Sequence, residues 1–278
     1  FYSMKKIALL FIVTIISFQG FSQRKPKIKG NKNVVEVREN LETFTAIELA
    51  DDLDIVIQKS SQEGYELEVD DNLIDVLKFK VEDGILKISS FYNITSKRKL
   101  DITIFFQELN SINMLNGKIS MKDVISTDRL TVRTSGTARL ELNATADIID
   151  ITMEEISSGD FNLASDSLNL TLKDRIDVKL YTTGAKNSLY MYKNASAKVE
   201  GTADFLMAKL YGSSSLKAAD LQSNDVLLIA EDSPDAEIRA LNNFELSSKG
   251  GAKTKLFGDA KITILDFLDT SRLEKEKN

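Results

Sequence analysis

The sequence predicts an all-β protein whose strands coil into a β-helix-like solenoid, with rungs of about 19 residues. Three observations carry that prediction. Apolar and polar residues alternate with period two over most of Val34–Leu265, between clusters of Asp, Asn, Gly and Ser. The phrase "TVRTSGTARLEL" at 131–142 returns in shape as "MYKNASAKVEG" at 191–201 and "KLYGSSSLKA" at 209–218. Its inward-pointing positions keep one parity through seven copies, which favours a coil over an ordinary sandwich or barrel.

The chain starts with an export signature. Met4, Lys5 and Lys6 precede the apolar run Ile7–Phe18, and Gly20 and Ser22 offer small residues for cleavage between Ser22 and Gln23. Residues 1–22 are therefore expected to be a Sec-type signal peptide, since the run is short of the roughly 20 apolar residues of a membrane span. No Cys follows it, so the lipoprotein route is closed. Residues 23–33, "QRKPKIKGNK" and its flanks, are predicted to be a flexible basic leader.

A non-repeating β region over 34–108 is expected next, covering one end of the coil. It holds "LDIVIQ", "YELEV" and "LDITIFF" as strands, and "FKVEDGILKI" as a hairpin turning at Glu82–Gly84. One short helix is predicted over 72–79, with Asn72 as its N-cap and Leu73, Val76 and Leu77 on its buried face. Repeating rungs follow over 109–265. Aligned on the turn, the inward residues are Ala138, Leu140 and Leu142, then Gly159, Phe161 and Leu163, then Ile176, Val178 and Leu180. The series continues through Ala197, Val199 and Gly201, then Ser214, Leu216 and Ala218, then Ala236, Ile238 and Ala240, and ends at Ala252, Thr254 and Leu256. The steps of this alignment are uneven, long from Ser214 to Ala236 and short from Ala236 to Ala252, so the repeat is a loose one. A unit this size buries an apolar face only by stacking on its neighbours. Residues 271–278 read as a charged tail that frays.

Composition narrows the chemistry. There is no Cys and no His, which excludes disulfides, zinc–thiolate sites and the Ser-His-Asp triad. A net charge of −6 argues against a nucleic-acid partner. Asp51, Asp52 and Asp54, with Asp70 and Asp71, could offer oxygen ligands to calcium, but they form no recognisable calcium loop and suit turns equally well. Glu154, Glu155, Asp160, Asp174 and Asp177 show no spacing that picks out a glycosidase pair. No cofactor, metal site or catalytic residue is assigned.

Two surface features are candidate binding positions. Tyr192 and Tyr211 lie one mean repeat apart and are expected on neighbouring rungs, in a column with Arg133 and Lys173. Lys217, Arg239 and Lys255 are expected as like-charged neighbours that an acidic partner could neutralise.

The order of these motifs resembles the putative auto-transporter adhesin head-GIN domain family. The likeness rests on "FTAIELADDLDIVIQKSSQEGYELEVDDNLIDVLKFKVEDGILKIS" in the first half, and on "VRTSGTARLEL", "KLYGSSSLKA" and "KGGAKTKLFGDAKI" in the second, spanning roughly 34–270. Asp51 and Asp52 stand where that pattern has a turn glycine. The resemblance implies a right-handed β-helix-like domain on an exported envelope protein, and adhesion as its role. The corresponding expectation is a non-catalytic module touching glycan or protein through a flat flank. A self-associating envelope scaffold is the alternative, and a polysaccharide lyase or hydrolase the outside one.

Overall fold

The structure, a computed structural model, describes residues 25–276; the expected signal peptide and cleavage point lie outside them. Strands make up 69% of the chain and helix 2%, and parallel coils stack into a β-solenoid of about 9 turns of roughly 19 residues. No helix among the described residues is long and apolar enough to cross a membrane.

The long strands Arg139–Met153, Ser158–Leu172, Asp177–Met191, Ser196–Leu210, Ser215–Ala230 and Asp235–Ser248 pair in parallel, each with the next. The inward parity is as expected: apart from the partly exposed Gly159 and Gly201, every residue of the inward series is buried. The expected neighbours are corrected. The register runs Leu140, Gly159, Val178, Ala197, Leu216, Ala236, Thr254. Its steps are therefore nearly uniform, where the alignment on the turn alternates long with short. That alignment slips alternate copies by two residues, which leaves every side chain on its proper face.

Each of the regular turns has two corners. The alternation breaks after Ala146, where Asp147 and Ile148 separate it from the next buried residue, Ile149. Asp147, Asp166, Ala185 and Asp204 are skipped by the pairing at the same place in successive rungs. The other corner stacks one left-handed residue on each rung: Gly136, Glu155, Asp174, Lys193, Gly212, Asp232, Gly250 and Asp269, with φ between 58° and 77°. Backbone bonds climb this stack, as in Ile156 N–H to Gly136 C=O (3.2 Å) and Arg175 N–H to Glu155 C=O (2.9 Å). Glu155 Oε2 also accepts from the N–H of Gly136, and Asp269 Oδ2 from that of Gly250, so acidic side chains satisfy donors one rung below. Inside this corner lie Ala138, Ser157, Ile176, Ala195, Ser214, Pro234 and Ala252, all buried and, apart from Ile176 and Pro234, small. The small side chains on most rungs let successive corners nest.

The N-terminal region closes one end of the solenoid as expected, and some of its strands also join the coil. Ala46–Leu49 and Asp54–Lys59 pair in parallel with Ser111–Met114 and Lys118–Met121, so the coil already reaches back to Ala46. Ile85–Ser90 and Leu100–Phe106 lie in parallel beyond them. The end is closed by antiparallel strands: Val34–Asn40 on Gly64–Asp70, Gly64–Asp70 on Leu100–Phe106, and Leu77–Glu82 on Ile85–Ser90. The Glu82–Gly84 hairpin is as predicted, with Asp83 and Gly84 at φ 52° and 74° as a type I′ turn requires.

Three expectations fail here. The helix over 72–79 is a 3-10 helix at Asp71–Val76, and the chain is extended from Leu77. Leu73 and Val76 are buried as foreseen, but Leu77, Phe79 and Val81 follow period two and join a sheet. Asn72 does not cap; its side chain binds Lys29 C=O and the Asn31 N–H. Position 70 precedes the helix, and the buried Asp70 carboxylate is already committed to the N–H groups of Lys32, Arg98 and Lys99. Burial opposes its charge, but those bonds outweigh burial and hold its pKa below the usual carboxylate range.

The leader is the second failure. Lys27–Lys29 pairs in parallel with Asn93–Ser96, and Lys25 donates to Ser90 C=O at 2.7 Å while pairing with Asp51. Gly30 passes so near Asp70 that a Cβ would sit 1.9 Å from its Oδ2. Third, the tail does not fray from residue 271: Arg272–Lys275 pairs in parallel with Lys253–Phe257. The strand before it, Lys261–Phe267, lies on Asp235–Ser248 with all seven residues exposed.

Candidate functional site

Tyr192 and Tyr211 do meet. Their rings stack with centroids 5.2 Å apart and planes 9° from parallel. They stand at the corner, one residue past the strands that end at Met191 and Leu210, and both are half-buried. Backbone bonds from Lys173, Tyr192, Tyr211, Glu231 and Lys249 to the rung below set their column. Lys173 belongs to it as expected; Arg133 does not, and instead pairs with Thr152 on the sheet. Ion pairs flank the rings on both sides: Lys173 with Glu154 at 2.6 Å, and Lys249 with Glu231 at 3.1 Å. Burial raises the Tyr211 phenol pKa, and the Glu231 charge adds to it.

The three cations are not mutual neighbours. Glu237 lies between Lys217 and Lys255 in their column and sits 3.9 Å from Lys255. Arg239 is further along the strand, where Nε donates to Ala219 C=O at 2.7 Å and the guanidinium lies 5.7 Å from the Phe257 ring centre. The register gives Lys217 other companions: Lys179, Lys198 and Lys217 occupy one outward column on consecutive rungs.

Of the aspartates considered for calcium, all but Asp52 are engaged otherwise. Asp51 accepts from Ser90 N–H and pairs with Lys25, Asp71 is held by Asn31 and Asn33, and Asp54 lies 3.8 Å from Arg139. Among the described residues no group of three or more acidic side chains could hold a metal ion.

Sequence reasoning missed Tyr181. It is 51% exposed on the flat flank, at the centre of the column Asn162, Tyr181, Glu200. Two residues away runs the column Asp160, Lys179, Lys198. These six residues line a shallow open depression of about 490 Å³. Lys198 is paired with Glu200. Among the described residues the side chains of Asp160, Asn162, Lys179 and Tyr181 have no hydrogen-bond or ion-pair partner. The signal was present in the sequence as an aromatic at an outward parity position, but its neighbours depend on the register.

An open rod of parallel coils with polar flanks and a closed end defines the class: a β-solenoid. The chain belongs to the family described as "Putative auto-transporter adhesin, head GIN domain", which matches residues 43–164 and again 154–260. The fold is shared with a crystal structure titled a putative adhesin from Parabacteroides merdae, at 13% identity and TM-score 0.69, over 90% of this chain and 99% of that one. A putative adhesin from Parabacteroides distasonis has 14% identity and TM-score 0.63, over 89% and 99%. A protein titled a putative lipid binding protein from the same species has 20% identity and TM-score 0.58, over 91% and 98%. The chain matches none of the curated proteins.

Proposed function

We propose that this protein is an exported, non-catalytic binding or adhesion module of the cell envelope or surface, which holds glycan or protein on the outside of its solenoid. The observation that carries this reading is the register. It stacks outward side chains directly over one another on consecutive rungs, as in the Tyr192–Tyr211 stack and the lysine column, so recognition groups repeat about every 4.8 Å along one flank. The family description and the export signature at residues 4–22 support the setting. The test is a glycan array and an envelope-protein pull-down with wild type and a Tyr192→Ala/Tyr211→Ala variant. Wild type is expected to retain a glycan or an envelope protein. Loss in the variant assigns contact to the corner, and unchanged binding assigns it elsewhere on the rod. Failure of wild type to retain either class overturns the reading.

The rung at Lys261–Phe267, exposed among the described residues, favours self-association as a second reading. Ile262 and Ile264 continue the buried column of Phe244 and Leu246, yet are 38% and 46% exposed, with Leu265, Phe267 and Leu268 beside them. Unpaired strand edges with apolar side chains recruit other strands. The opposite end is closed by antiparallel strands, so the fitting occupant is a second copy meeting this end with its own. Sedimentation is expected to show a concentration-dependent dimer that Ile264→Lys abolishes. A wild type that stays monomeric at every concentration ends this reading.

A further inference from the structure

The flat flank carries a more specific arrangement than a general binding surface requires, and resting on the reading above we propose that the depression around Tyr181 is a subsite for a neutral sugar ring of a glycan. A pyranose has an apolar C–H face and a rim of hydroxyls, each both donor and acceptor. It therefore needs one flat aromatic platform ringed by free donors and acceptors of both kinds. Tyr181 is that platform, half exposed and central to its column. Along the strand beyond it the outward position is Thr183, with Ala164 and Thr202 on the adjoining rungs. Short side chains there leave room above the ring.

On the other side lie an acceptor in Asp160, an amide offering both in Asn162, and a donor in Lys179. None of these side chains has a partner among the described residues. Hydrogen bonds from charged groups to hydroxyls are the stronger kind, and a carboxylate and an ammonium side by side suit hydroxyl pairs.

The charges decide between ligand classes. Asp160 and Glu200 balance Lys179 and Lys198 within the depression, so no net field favours an acidic sugar over a neutral one. A protein partner would be expected to meet several clustered aromatic or aliphatic anchors. Here Tyr181 is the one aromatic side chain exposed in the depression, because Phe161 and Leu180 are buried.

The experiment is calorimetric titration of the full chain with cellohexaose, mannohexaose and maltohexaose as neutral probes and oligogalacturonate as the acidic one, at low and high salt. At least one neutral probe is expected to bind with little change between the two salt conditions. Tyr181→Ala is expected to weaken it by about tenfold or more, the loss typical of a central aromatic contact, while Tyr181→Trp retains it and both variants keep the wild-type circular dichroism spectrum. Equal binding by wild type and Tyr181→Ala overturns the proposal, as does binding of oligogalacturonate alone with steep salt dependence. Loss of an envelope protein from Tyr181→Ala, with no neutral probe bound by wild type, also overturns the sugar subsite and leaves the broader binding reading standing. A wild type that retains no glycan and no protein overturns both.

Discussion

Leu140→Asp and Val199→Asp are each expected to unfold the solenoid. Both side chains are essentially fully buried, at 1% and 0% exposure; Leu140 pairs in register with Ile119 and Gly159 on the two adjoining rungs, and Val199 with Leu180 on the rung below, beside a register shift toward the rung above. A carboxylate there would enter interior columns that are mostly apolar. Burying a polar group without a partner costs roughly 2–7 kcal/mol, and an ionised one more. Domains have only about 5–15 kcal/mol to lose. Urea unfolding followed by far-UV circular dichroism should show no folded baseline for either variant, while the outward change Glu141→Ala should unfold within about 0.5 kcal/mol of wild type. Cooperative folding of both buried variants would mean that the inward parity is misassigned.

Gly201→Val should produce the second-largest loss. Gly201 has φ of 115°, outside the region open to side chains, and an added Cβ would lie 2.0 Å from the Thr182 carbonyl oxygen on the rung below. The conformational cost alone is about 1–3 kcal/mol, and the carbonyl contact can be relieved only by spreading the rungs. Gly84 provides the comparison. Its φ of 74° is also left-handed, but nothing lies within 4 Å of its Cβ position, so Gly84→Ala should cost only about 1–2 kcal/mol. The denaturation midpoints of the two variants separate conformational strain from the closeness of stacked backbones. Equal midpoints would show that rung contact adds nothing at Gly201.

The faces of the strands were legible in the sequence and their pairing was not, for a simple reason. Burial writes itself into alternation, so Leu140, Val178 and Leu216 announce which way they point. A slip of two residues preserves that alternation entirely, and so the alignment on turn residues joined Lys217 to Arg239 when it belongs beside Lys198. Turn chemistry misled because five of the eight left-handed corner positions are Glu155, Asp174, Lys193, Asp232 and Asp269, not glycine; the stack below holds them in place, and no local rule marks them. The basic composition of Lys27–Lys29 likewise concealed a strand whose hydrogen bonds come from Asn93–Ser96, far along the chain. The Tyr192–Tyr211 stack was readable because its spacing equals the true period. Tyr181 was readable as outward-facing only, since its ring of partners is assembled from three different rungs.

The rung left uncovered among the described residues has a mechanical consequence. Interior coils are gripped from above and below, whereas the strands at Lys261–Phe267 and Arg272–Lys275 are gripped from one side. In a stack whose stability is a sum over adjoining layers, such a molecule unravels like a zipper sewn shut at its N-terminal end, with amide protection fading layer by layer toward the other.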